Sequence, residues 1–95
     1  MTKNDLIVLR PNPKRDTDLK ETRKAYEALR AAGYDAVVSP AVPCPEGTLP
    51  ESMRLVPLSE CVLRASLLVC FGGDGTILRT VRAVMGAPVP ILGVN

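Results

Sequence analysis

The residues best suited to chemistry cluster in one short stretch, Gly72-Gly73-Asp74-Gly75-Thr76, with Arg79 close behind. Glycine is costly in chain entropy, and a run this dense in it implies that something requires the bare backbone. Glycine admits positive φ and lets a ligand approach the main chain. A helix beginning near Thr76 or Ile77 adds unpaired N–H groups and a positive dipole end, a natural seat for phosphate. Asp74 is the informative residue. A carboxylate facing phosphates is repelled unless a cation stands between them, or unless it accepts the proton of a substrate hydroxyl. Both roles belong to phosphoryl transfer. The alternative is a tight strand-to-helix turn in which Asp74 serves only as a helix cap.

Two phosphate-loop patterns fail on spacing. The pattern G-x-x-x-x-G-K-[ST] needs a Gly-Lys pair, and the chain has none. The pattern G-x-G-x-x-G, begun at Gly73 and Gly75, needs glycine where Leu78 stands. Arg79 falls opposite Ile77, Val81 and Met85 on a helical wheel, and helical side chains lean back toward the N-terminus, here toward the loop. A ligand contact and a solvated surface charge both fit it. Arg82, one turn further, reads as surface. Lys14 and Arg15 could reach nucleotide phosphates or simply be solvated.

Composition narrows the chemistry further. There is no histidine, which excludes histidine triads, histidine metal sites and imidazole proton shuttles. Cys44, Cys61 and Cys70 are odd in number, far apart and without a C-x-x-C pair, so neither a zinc site nor a disulfide framework is expected. They read as buried, reduced thiols. Twelve basic and ten acidic residues give a net charge of +2, too balanced for a nucleic-acid binder. The few aromatic residues (Tyr26, Tyr34, Phe71) offer no stacking platform for single strands. The apolar run Leu67 to Phe71 falls far short of the ~20 residues of a membrane span, and Leu6 to Leu9 is too short for a signal-peptide core. These features predict a soluble cytoplasmic protein with no membrane or nucleic-acid partner. A chain of 95 residues, 46% hydrophobic, supports one domain with an aliphatic core.

The elements that must position the glycine loop can be read in order. Leu6-Ile7-Val8-Leu9 is continuously apolar, as in a strand buried on both faces, and Arg10-Pro11-Asn12-Pro13 is expected to end it. Asp16, Thr17 or Asp18 can cap a helix over 18–32, with Glu21 completing an approximate capping box from Asp18. Leu19, Thr22, Tyr26 and Leu29 form its buried stripe, widened by Ala25, Ala28 and Ala32. Gly33 stops it, and residues 35–38 form a second strand. Pro40, Pro43, Pro45, Pro50 and Pro57, with Gly47, mark a long irregular segment. A short helix over 58–64 follows, with Ser59 as a possible cap. Residues 67–71 are the strongest strand, running straight into the glycine loop. Ile77, Leu78, Val81, Val84 and Met85 then make a helical face over 76–85, and residues 90–94 make a last strand. The sum is an α/β, Rossmann-like open parallel sheet, whose ligands sit at the carboxyl ends of the strands.

The segment from Leu67 through Gly72-Gly73-Asp74-Gly75-Thr76 to Arg79 resembles the signature of the NAD kinases, which phosphorylate NAD to NADP. Pro11-Asn12-Pro13-Lys14 and Pro90-Ile91-Leu92-Gly93-Val94-Asn95 are similar to flanking segments of that family, in family order. Diacylglycerol and sphingosine kinases share the pentapeptide, and phosphofructokinases carry a related loop. Lipid kinases usually place an acidic residue and an Asn-Gly pair where this chain has Ile77-Leu78-Arg79-Thr80-Val81-Arg82. The resemblance implies that Asp74 is the proton acceptor for the 2′-hydroxyl of the NAD adenosine ribose. It implies that Gly72, Gly73, Asp74, Gly75, Thr76 and Arg79 form the nucleotide-binding set, with no protein metal site. NAD and ATP are the implied partners, with ATP or polyphosphate as donor, a divalent cation, Mg²⁺, on the phosphates, and a homo-oligomer in the complete enzyme. It also implies a second, β-rich domain that this chain lacks. On that reading residues 1–95 are a partial N-terminal nucleotide-binding domain, inactive alone. A lipid-kinase-like catalytic domain and a non-catalytic nucleotide-binding fragment are the alternatives.

Overall fold

The computed structural model describes residues 5–42 and 53–94. Most of the proline-rich stretch, residues 43–52 with Cys44, lies outside the described residues, as does Asn95. Four strands, β1 (Leu6–Pro11), β2 (Asp35–Val38), β3 (Ala65–Phe71) and β4 (Ile91–Val94), form one sheet in the order β2-β1-β3-β4. Every neighbouring pair is parallel. The connection from β1 to β2 and that from β3 to β4 run in opposite directions across the sheet, so crossovers of one hand put their helices on opposite faces. α1 (Lys20–Ala31) covers one face, packing Tyr26 with Ile7, Leu9, Val69 and Phe71. α2 (Leu58–Cys61) and α3 (Asp74–Ala83) lie on the other, where Cys61 and Val84 meet Leu6, Val8, Leu68 and Cys70. Successive residues of β1 and β3 thus enter different cores. The open parallel α/β sheet is as expected, and the unbroken apolar runs are explained by burial on both faces.

The element ends and faces depart from expectation in instructive ways. β1 continues through Arg10 and Pro11, which pair with Cys70 and Phe71. Proline is tolerated as the last strand residue, where its missing N–H breaks no internal rung and its carbonyl still accepts the Ala41 N–H at 2.9 Å. α1 starts at Lys20 behind a tight turn, Thr17–Leu19. The box from Asp18 to Glu21 does not form; the Asp16 carboxylate instead accepts from the Glu21 and Thr22 N–H groups and the Thr22 hydroxyl, at 3.0, 2.9 and 2.7 Å. Asp18 and Leu19 adopt left-handed φ of 54° and 52°, a strain offset by the complete burial of Leu19. Ala28 and Ala32 are exposed, so the α1 stripe is narrower than expected. α2 ends at Cys61 rather than Arg64, and Ser59 lies inside it with no side-chain cap.

α3 shows the largest difference. It begins at Asp74, two residues early, and ends at Ala83. Thr76, Thr80 and Val84 face the sheet, whereas Leu78, Val81 and Met85 are 52%, 44% and 80% exposed. Of the expected apolar face, Ile77 and Val84 pack inward and Leu78, Val81 and Met85 point outward, with Thr76 and Thr80 turned in.

Cys61 and Cys70 are free and buried, and burial pushes both thiols up, leaving them protonated at neutral pH. No described helix is long and apolar enough to cross a membrane.

Candidate functional site

The strand order reverses between β1 and β3, and such a reversal opens a crevice outside the carboxyl ends of the two strands. The glycine loop leaves β3 at that point. Two backbone hydrogen bonds pin it, one from Asn12 N–H to the Phe71 carbonyl at 3.1 Å and one from Gly72 N–H to the Val94 carbonyl at 3.0 Å. A side-chain bond adds a third tie: Asn12 Nδ2 donates to Thr76 Oγ1 at 3.2 Å. Sequence reasoning gave Asn12 no role of its own. Its only signal was that it is the polar residue at the end of an apolar strand.

The three glycines have different reasons to be glycine. Gly72 has φ +147°, and a Cβ there would stand 2.8 Å from Thr76 Oγ1 and 3.5 Å from the Asn12 Cβ. The fold itself demands it. At Gly73 a Cβ would meet only the Arg15 guanidinium at an ordinary 3.6 Å, and at Gly75 it would meet nothing within 4 Å. Nothing in the protein's own packing calls for glycine at 73 or 75.

Two cavities flank the loop. The larger, 380 Å³, is floored by Phe71 and Val94 and rimmed by Arg15, Asp16 and Glu21 beside Gly72 and Gly73. The smaller, 190 Å³, is lined by Asn12, Arg15, Gly73, Gly75, Thr76 and Arg79. Arg15 and Gly73 are common to both. The smaller cavity brings two guanidinium groups to the start of α3 with no carboxylate in its lining, which suits an anion. Gly73 is the N-cap and provides no side-chain bond. The N–H groups of Thr76 and Ile77 turn back to the Gly73 carbonyl at 3.1 and 3.3 Å, leaving those of Asp74 and Gly75 without an internal partner among the described residues.

Each expected site residue can now be placed. Gly72, Gly73, Gly75, Thr76 and Arg79 all line one cavity or both. Thr76 is buried and its hydroxyl is already held by Asn12, so a positioning role suits it better than direct contact. Asp74 is exposed on the first turn of α3, lines neither cavity and makes no ion pair or hydrogen bond among the described residues. It does not cap the helix, so the capping alternative fails. Arg82 and Lys14 are exposed and line neither cavity. No group of three His, Cys, Asp or Glu residues capable of holding a metal occurs among the described residues.

Residues 6–95 match the ATP-NAD kinase N-terminal domain family. This chain belongs to the NAD kinase family. The NAD kinase of Acetivibrio thermocellus is 31% identical over 85 residues, covering 90% of this chain and 28% of the relative. That of Methanocorpusculum labreanum is 37% identical over 82 residues, 82% of this chain and 28% of the relative. That of Leifsonia xyli is 48% identical over 48 residues, 48% of this chain and 16% of the relative. The chain therefore spans about a quarter of the length of the curated NAD kinases it matches. No solved structure matches it. Family membership, with the four-stranded parallel sheet, removes the lipid-kinase alternative from favour.

Proposed function

We propose that residues 1–95 supply the N-terminal nucleotide-binding part of a two-domain kinase that phosphorylates NAD at its adenosine 2′-hydroxyl. The observation that carries this reading is the pair Gly73 and Gly75. Their missing side chains leave space the fold does not need, beside Arg15 and Arg79, and the unpartnered Asp74 stands between the two glycines in the chain, outside the cavity lining. A ligand that approaches the backbone there, presents phosphates to Arg15 and Arg79, and offers a hydroxyl to Asp74 accounts for all of these.

In that reading Asp74 accepts the 2′-hydroxyl proton while the ribose oxygen attacks the terminal phosphorus of ATP or polyphosphate. The shortened donor leaves with the electrons of the broken P–O bond. A ribose hydroxyl is a poor nucleophile at neutral pH, and a base within hydrogen-bond reach contributes typically ~10²–10⁴-fold. Arg15 and Arg79 hold phosphate charge, Gly73 and Gly75 admit the ligand to the main chain, and Thr76 and Asn12 keep the loop in place. A divalent cation, Mg²⁺, would come bound to the donor's phosphates and offset their charge. The complete protein acts in the cytoplasm and as a homo-oligomer, and the 95-residue chain binds nucleotide without turning it over.

The test is a coupled assay of NADP formation by a full-length protein that contains this chain. NADP formed from NAD and a phosphoryl donor is the expected result. Phosphorylation of diacylglycerol or sphingosine instead, or of neither substrate class, would refute it.

A further inference from the structure

Arg10 sits on the central strand β1 with only 9% of its surface exposed. Its Nε donates to the Thr80 hydroxyl at 3.0 Å, and its Nη1 donates to the carbonyls of Ser39 and Pro40, each at 3.2 Å. All three acceptors are neutral, and no ion pair reaches Arg10 among the described residues. Burial penalises its charge, pulling its pKa below the ordinary arginine value. An apolar side chain in its place would leave the Ser39 and Pro40 carbonyls without this donor.

Arg10 meets the face that α3 turns to the sheet. Of the apolar residues on α3 and at its end, Ile77 and Val84 pack against the sheet, while Leu78, Val81 and Met85 are exposed. Thr80 is fully buried instead, and its hydroxyl has two tasks: it accepts from Arg10 and donates to the Thr76 carbonyl at 2.8 Å. Thr76, one turn earlier on the same face, is held by Asn12 at the end of the same strand. β1 thus grips the inner side of α3 at two levels, through Arg10 and through Asn12. With that rotation set, Arg79 falls at the rim of the smaller cavity beside Arg15.

We propose that Arg10 is a positioning residue: by engaging Thr80 it sets the rotation of α3 on the sheet and so places Arg79 for contact with NAD. This rests on the nucleotide-site reading above. The two can be tested apart.

In a full-length kinase that contains this chain, Arg10→Met should raise the KM for NAD about tenfold, as loss of the Arg79 contact would, and lower kcat much less. Its melting temperature should fall modestly, because the Ser39 and Pro40 carbonyls lose a donor, while the protein stays folded. The decisive measurement is a double-mutant cycle with Arg79→Ala. If Arg10 acts through Arg79, the double variant should be within about twofold of either single variant. Thr80→Val should reproduce Arg10→Met, and Thr80→Ser, which keeps the hydroxyl, should behave as the parent. On the 95-residue chain, Arg10→Met should also bring Leu78 into nuclear Overhauser contact with β3 and speed amide exchange over 74–80. Additive effects of Arg10→Met and Arg79→Ala, an unfolded Arg10→Met, or an α3 that keeps its rotation without Arg10 would each overturn the proposal. A parent that forms no NADP would refute the nucleotide-site reading, while the α3 rotation in the 95-residue chain would still decide what Arg10 does.

Discussion

α1 and α3 both begin at the carboxyl ends of adjacent strands, β1 and β3, and they begin in opposite ways. The first turn of α1 is closed: the buried Asp16 carboxylate takes the Glu21 and Thr22 amides and the Thr22 hydroxyl. The first turn of α3 is open, with glycine at its N-cap, no side-chain cap and an unpartnered Asp74. A helix start saturated by its own chain has no donors left for a ligand. One left open exposes its donors and a positive dipole end. One helix start is thus closed by its own chain and the other is left open, as the proposed nucleotide site requires, and substitutions at the two starts should fail differently.

The largest effect is expected at the open start. Asp74→Asn keeps the size and hydrogen-bonding reach of the side chain while removing the base. In a full-length kinase, turnover should fall about a hundredfold or more, with the melting temperature nearly unmoved because Asp74 holds nothing in the fold. Full turnover in the folded variant would remove Asp74 from catalysis.

The closed start should answer in stability. Asp16→Ala strips three hydrogen bonds from a buried cap and should cost about 2 kcal/mol. For a domain of this size that lowers the melting temperature on the order of 10 °C, readable by thermal denaturation of the 95-residue chain. Asp16→Asn, which retains one acceptor, should fall between. An unchanged melting temperature would show that the two helix starts do not differ as described.

The contrast was half visible in the sequence. The glycine run announced the open start because glycine is expensive and Asp74 is unexpected among phosphates. The closed start stayed ambiguous among Asp16, Thr17 and Asp18. What chose Asp16 was the left-handed pair Asp18 and Leu19, a backbone conformation that side-chain pattern does not encode. The strands were legible because Leu6 to Leu9 and Leu67 to Phe71 feed two cores at once. The face of α3 was legible only in part, through Ile77 and Val84, because apolar periodicity assumes that the partner surface is apolar throughout. Here a buried guanidinium asks for a hydroxyl, and Thr80 answers it.

Arg79 gives a smaller effect at the open start. Arg79→Ala should raise the KM for NAD about tenfold, equivalent to ~1.4 kcal/mol, with the fold untouched because the side chain is exposed. Steady-state kinetics in a full-length kinase would show it. An unchanged KM would make Arg79 a surface charge and leave Arg15 as the cavity's only working cation.

The smallest and sharpest change is Gly75→Ala. A Cβ at position 75 meets nothing within 4 Å, Gly75 lies in the first turn of α3, and its φ is not among the positive ones. Alanine should therefore cost the fold nothing. By shrinking the freedom of the unfolded chain and favouring helix, it should stabilise by about 0.5 kcal/mol. That raises the melting temperature by roughly 2–4 °C. Gly72→Ala, in the same loop, should destabilise, because its φ is positive and the new Cβ would stand 2.8 Å from Thr76 Oγ1. In a full-length kinase the KM for NAD or ATP should rise with Gly75→Ala, since the added methyl occupies space that only a ligand would use. A more stable protein that binds its substrates less well is the signature of a glycine kept for a ligand. If Gly75→Ala gains stability and binds as before, the open start of α3 does not receive the nucleotide at this residue.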